Sequence, residues 1–107
     1  MAIKPWTLPN VAANTVTDWV VPGANLEVAI FGISICNTGT VDTADITVTL
    51  TTSTGTIKAT PLKASLAPGE SIHIDTKIFL AASATPDKLR VLSTLASVSF
   101  LASGEEG

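Results

Sequence analysis

From Ile46 to Thr51 the chain alternates strictly between apolar residues (Ile46, Val48, Leu50) and threonines (Thr47, Thr49, Thr51). A period of two fits a strand with one buried face, because successive side chains of an extended chain point to opposite sides. The pattern recurs at Ile72, Ile74 and Ile78, with His73, Asp75 and Lys77 on the other face. Other apolar or β-branched runs lie at 15–21, over the longer stretch 26–36, around Ile57 before Pro61, and around Leu89, Val91, Val98 and Phe100. Turn chemistry separates them: Val21-Pro22-Gly23, Asn37-Thr38-Gly39-Thr40, Thr52-Ser53-Thr54-Gly55 and Ala67-Pro68-Gly69-Glu70. No segment carries a sustained helical period. The spacing predicts an all-β chain: a single antiparallel β-sandwich of six to eight short strands, immunoglobulin-like or jelly-roll-like.

With 107 residues there is room for one domain, expected over 11–103. Within the 26–36 run the apolar phase changes: Leu26, Val28 and Ile30 share one face, and Phe31, Ile33 and Ile35 the other. A switch beside Gly32 reads as a β-bulge, a bend between sheets, or a strand buried on both faces. Trp19 is expected in the core. Residues 1–10 read as an N-terminal arm, since Pro5 and Pro9 bracket Trp6 and Leu8 without a period. An aromatic on such an arm either folds back on its own domain or anchors to a neighbour. Pro5, Trp6, Leu8 and Pro9 are therefore the candidate assembly contacts. Residues 104–107 read as a frayed acidic tail.

Charged residues make up 14% of the chain, against about a quarter in a typical soluble domain, which suggests a surface covered partly by other protein. The net charge is −3, and the six basic residues are scattered, so no stripe can track phosphates and no nucleic acid is expected. No basic amphipathic segment suggests a membrane surface, and the start, MAIKPWTLPN, carries no hydrophobic stretch of a signal peptide. With the lone Cys36, these features lead to an expectation of synthesis without export, in a reducing compartment.

No catalytic, cofactor or metal site is expected. His73 has Ser71 and Asp75 on its own face, but neighbours two residues apart on a strand are about 7 Å apart, too far for a catalytic triad. An exposed cross-strand partner is the preferred reading of His73. Cys36, with no histidine or lysine near it in sequence, reads as a packed thiol. Asp42 and Asp45 lack the dense oxygen ligands of a calcium loop and suit turn geometry. Five aromatics without a tyrosine make a sugar-stacking platform an unfavoured reading.

The motifs also form an ordered set. Thr17-Asp18-Trp19-Val20-Val21-Pro22-Gly23 precedes an apolar strand closing on Ile35-Cys36-Asn37-Thr38-Gly39, and the Thr-Val alternation follows. Then come Leu66-Ala67-Pro68-Gly69-Glu70-Ser71-Ile72-His73-Ile74-Asp75, Leu80-Ala81-Ala82, Asp87-Lys88-Leu89-Arg90-Val91 and Ala102-Ser103-Gly104-Glu105. Over roughly residues 15–106 this order resembles small structural proteins of tailed bacteriophage virions. It departs from them at Pro22-Gly23-Ala24, where a small residue usually stands between proline and glycine, and in the longer loop Ser83-Ala84-Thr85-Pro86. The resemblance implies a non-enzymatic decoration, neck or tail accessory protein. Its expected partners are other virion proteins and copies of itself as a homo-oligomer, its expected location the virion, assembled in the host bacterial cytoplasm. The alternative is an immunoglobulin-like binding module of a surface or extracellular protein, recognising carbohydrate or protein.

Overall fold

The computed structural model describes residues 2–107. Eight strands follow in order: β1 (Ala2–Leu8), β2 (Thr17–Val20), β3 (Val28–Asn37), β4 (Ala44–Thr51), β5 (Ile57–Leu66), β6 (Ser71–Leu80), β7 (Lys88–Ser93) and β8 (Val98–Glu106). They form two four-stranded antiparallel sheets, ordered β1-β8-β3-β6 and β2-β7-β4-β5. The first strand lies beside the last, the second beside the seventh, the third beside the sixth and the fourth beside the fifth. That nesting is the jelly roll and not the immunoglobulin strand order.

The sheets bury the apolar face that period two predicts. Val28, Ile30, Ile33, Ile35, Val98, Phe100 and Ala102 from one sheet meet Trp19, Ala44, Ile46, Val48, Leu89 and Val91 from the other. The phase switch in β3 is a bulge: its register shifts against both neighbours between Ile30 and Gly32. Phe31 is consequently turned out, while Ile30 and Ile33 both stay inside. The bulge also presses β3 onto β8, where a Cβ at Gly104 would collide with the carbonyl oxygen of Ala29. Only glycine fits there.

Three segments differ from the sequence reading. Residues 2–8 are not a free arm: β1 pairs with β8 from Ala2↔Glu106 to Leu8↔Phe100. Trp6 lies in the core at 8% exposure, and its carbonyl accepts a hydrogen bond from Trp19 Nε1 at 3.1 Å. Trp19 in turn packs edge-on against Phe100, with ring centroids 5.5 Å apart. Pro5 is compatible with this because β1 is an edge strand, where a missing N–H is tolerated. For the same reason β5 runs straight through Pro61; the register shift between Val48 and Leu50 absorbs it. The acidic tail is likewise ordered, as the end of β8: the Glu106 carboxylate meets Lys4 Nζ and Gly23 N–H, each at 3.0 Å.

At one end of the sandwich three loops meet on Asn37, which is fully buried. Its Nδ2 donates to the carbonyls of Asp42 and Leu66, each at 3.0 Å. Its Oδ1 accepts from Gly39 N–H at 3.0 Å and Ser97 Oγ at 3.3 Å. Its backbone N–H and C=O pair with Glu70 and Gly69. Gly69 itself, at φ 77° after Pro68, sits where a type II turn requires a positive φ, and Glu70 N–H closes that turn onto Ala67 O at 2.9 Å.

Candidate functional site

The outer face of the β1-β8-β3-β6 sheet gathers most of the polar residues of interest. Across it, Thr7 lies opposite Leu101, Leu101 opposite Ser34, and Ser34 opposite His73. Two residues along β3 toward the Asn37 end, Ser99, Cys36 and Ser71 form the adjoining row. Where the chain leaves β1 at Leu8 and Pro9, these rows floor an open groove of about 410 Å³. Leu8, Pro9 and Cys36 thus come together, but Trp6 points into the core beneath them. The sequence reading does not assemble this groove because it places no strand at residues 2–8. Trp6 and Leu8, two residues apart and both inward, are the available signal.

Within the groove Ser34 Oγ and His73 Nδ1 are hydrogen-bonded at 2.7 Å. The histidine's partner is therefore across the strand pair, not Ser71 or Asp75 beside it. A serine on an imidazole is half of a nucleophilic constellation; the other parts are an orienting group on the second ring nitrogen and free donors for an oxyanion. Among the described residues His73 makes no other side-chain hydrogen bond, and β3 is paired on both sides, so its backbone N–H groups near Ser34 belong to the ladders. The geometry is that of a cross-strand polar pair. Cys36 is half-buried on the same face.

The two carboxylates with displaced acidity lie outside this groove. Asp18 is held below the usual carboxylate range chiefly by Arg90 Nε at 2.7 Å, burial opposing, with Lys88 assisting at 3.3 Å. Glu106 is lowered first by the Gly23 N–H and then by Lys4. Both are structural pairings that tie neighbouring strands and a loop. Asp45 accepts from Ser65 Oγ at 2.6 Å, and Asp42 contributes its carbonyl to Asn37. Among the described residues no three His, Cys, Asp or Glu side chains converge as metal ligands, and no helix is long and apolar enough to cross a membrane.

Beyond the groove the same face carries large apolar side chains among a few charged ones. Ile3, Glu105, Ala29 and Phe79 form one row across the four strands, with Phe31 at the bulge beside it. Ile3 is 85% exposed, Phe79 59% and Phe31 49%, so this end of the sheet presents large hydrophobic side chains to its surroundings. In comparison with known proteins, the chain matches no family model and no curated sequence.

Proposed function

We propose that this chain is a non-enzymatic structural component of a tailed-phage virion, a capsid decoration or a neck or tail accessory protein. It acts by self-association and by docking on the particle. The observation that carries the docking is the outer face of the β1-β8-β3-β6 sheet, where Ile3, Phe31, Phe79 and Leu101 are exposed on a surface that also carries Glu105, Asp75 and Lys77. Apolar side chains grouped on one face favour a protein partner. The order of motifs over residues 15–106 supports the phage assignment, and the jelly roll is compatible with it by analogy, since viral shells are often built from that fold. With Trp6 inside its own domain, docking falls to this sheet face and not to an arm.

The test is whether the chain co-purifies with intact particles through a density gradient, at a fixed stoichiometry to the major shell protein. Phe79→Ser and Phe31→Ser should reduce that occupancy while leaving the fold intact. Absence from washed particles refutes the reading. A second reading has one observation in its favour: the groove is ringed by hydroxyls (Thr7, Ser34, Ser71, Ser99) beside His73, which suits a carbohydrate. Retention on a glycan array, lost in His73→Ala, would select that binding module instead.

A further inference from the structure

A sandwich of two open sheets has four edges, and three of them here are blunted. β1 carries Pro5, β5 carries Pro61, and β2 is only four residues long. Proline and shortness are devices by which sheets prevent further strand pairing. β6 has neither: it runs ten residues, Ser71–Leu80, without proline or glycine, although its register shifts against β3 where Thr76 and Lys77 together stand opposite Phe31. Its exposed and half-buried side chains alternate without a break from Ser71 to Phe79. The inward row Ile72, Ile74 and Ile78 is only partly covered by its own domain. On the outer row Asp75 and Lys77 form no ion pair within the chain among the described residues, whereas Lys4, Lys58, Lys88 and Arg90 all do.

We propose that the β6 edge pairs antiparallel with β6 of a second copy, about a two-fold axis at Thr76, joining two four-stranded sheets into one. In an antiparallel pair the backbone groups of opposed residues point at each other, so a self-pairing must centre on a residue. Centred on Asp75, two carboxylates face each other; centred on Lys77, two ammonium groups do. Centred on Thr76, Asp75 of each copy faces Lys77 of the other, twice by symmetry. In that register Ile74 faces Ile78 and Ile72 faces Leu80 on the inner side, and His73 faces Phe79 on the outer side. One register satisfies charge and apolar matching together, and it uses a second copy of this chain. The pairing gives the self-association proposed above a surface. It is tested on the isolated chain, so its failure leaves docking on the particle to its own experiment.

Sedimentation velocity of the full chain over a range of concentrations should show a monomer–dimer equilibrium. Asp75→Lys alone and Lys77→Asp alone each place like charges opposite one another twice, and each should weaken dimerisation by about tenfold or more. Mixed together, the two variants should form a heterodimer. The lysine introduced at position 75 of one copy then faces the aspartate introduced at position 77 of the other, and the unchanged Lys77 faces the unchanged Asp75. In a Cys36→Ser background, Thr76→Cys should oxidise to a cross-linked dimer, because opposed Cα atoms at about 4.5–5.5 Å are within disulfide reach. A chain that stays monomeric overturns the inference. So does a dimer indifferent to both charge variants, or one that Thr76→Cys fails to cross-link, because association then uses another surface.

Discussion

Replacing Asn37 with aspartate changes one amide nitrogen to oxygen in a fully buried side chain, and it should be among the most damaging conservative substitutions in the domain. The Oδ1 side survives the change, since a carboxylate accepts from Gly39 N–H and Ser97 Oγ at least as well. The other oxygen then faces the carbonyls of Asp42 and Leu66, which lose their donors. Leaving the buried Leu66 carbonyl unpaired costs about 1–3 kcal/mol, the part-buried Asp42 carbonyl costs less, and the anion must also be desolvated against two carbonyl dipoles. Allowing for the stronger bonds on the retained side, the net loss should be about 3–5 kcal/mol. A domain of this size has a total stability of about 5–15 kcal/mol, so the variant approaches its unfolding threshold.

Urea denaturation followed by tryptophan fluorescence measures this directly, Trp6 and Trp19 both being buried. The pH dependence separates the amide's role from mere crowding. An ionised carboxylate at position 37, facing carbonyls, is disfavoured in the folded state, so its folded pKa rises above the unfolded value of about 3.9. Below that value the carboxyl is protonated in both states and can donate one of the lost bonds, and the deficit relative to the parent is smallest. It grows as pH rises toward the folded pKa and is constant above it. Asn37→Ala should be destabilised with no such pH dependence relative to the parent. A loss below about 1 kcal/mol, or a deficit flat from acid to neutral pH, refutes the claim that this amide ties the loops together.

Four further outcomes are expected. Trp6 Nε1 is buried without a hydrogen-bond partner, so Trp6→Phe should stay within about 1 kcal/mol of the parent in denaturant, relieving an orphaned donor; Trp19→Phe should be costlier because it loses the bond to Trp6 O. Gly104→Ala should cost about 1–3 kcal/mol by overpacking against Ala29, read as a fall in thermal midpoint that Ser103→Ala does not produce. Glu106 has a folded pKa below its ordinary 4.5, so its stabilisation is present above that pH and is lost as pH falls through the folded value; Glu106→Gln should therefore differ most from the parent at neutral pH and converge with it in acid. Val48→Asp should unfold the domain by burying an unpaired charge, whereas Thr47→Asp on the outer face should be tolerated; equal damage in circular dichroism melts would mean both faces of β4 are sealed.

The strands legible in the sequence are those whose period two is set by burial on one face. β4 alternates from Ala44 to Val48, and β6 from Ser71 to Phe79, because one side meets the core and the other does not. At the end of β4 the register shifts and Thr51, expected on the outer face, is buried instead, while the bulge at Phe31–Gly32 shows as a break in phase. The segments at the two ends obey the same rule with weaker signals. β1 holds only Trp6 and Leu8 as inward apolar residues between two prolines, and a strand with so few is recognisable only once β8 is beside it. β8 hides its last residues for a related reason: Gly104, Glu105 and Glu106 look like a tail, yet glycine is required under the bulge and the second glutamate is neutralised by Lys4 and Gly23. Asn37 reads as a turn residue and is one, but its side chain joins loops separated by 29 and 60 residues in sequence, which no local pattern encodes. The groove fails to show for the same reason. Its hydroxyls come from four strands, and a serine contributes nothing to a period-two signal until the register places it opposite a histidine. What sequence periodicity carries, then, is which face of each strand is buried; the order of strands, and so the composition of any outer face, comes from pairings remote in the chain.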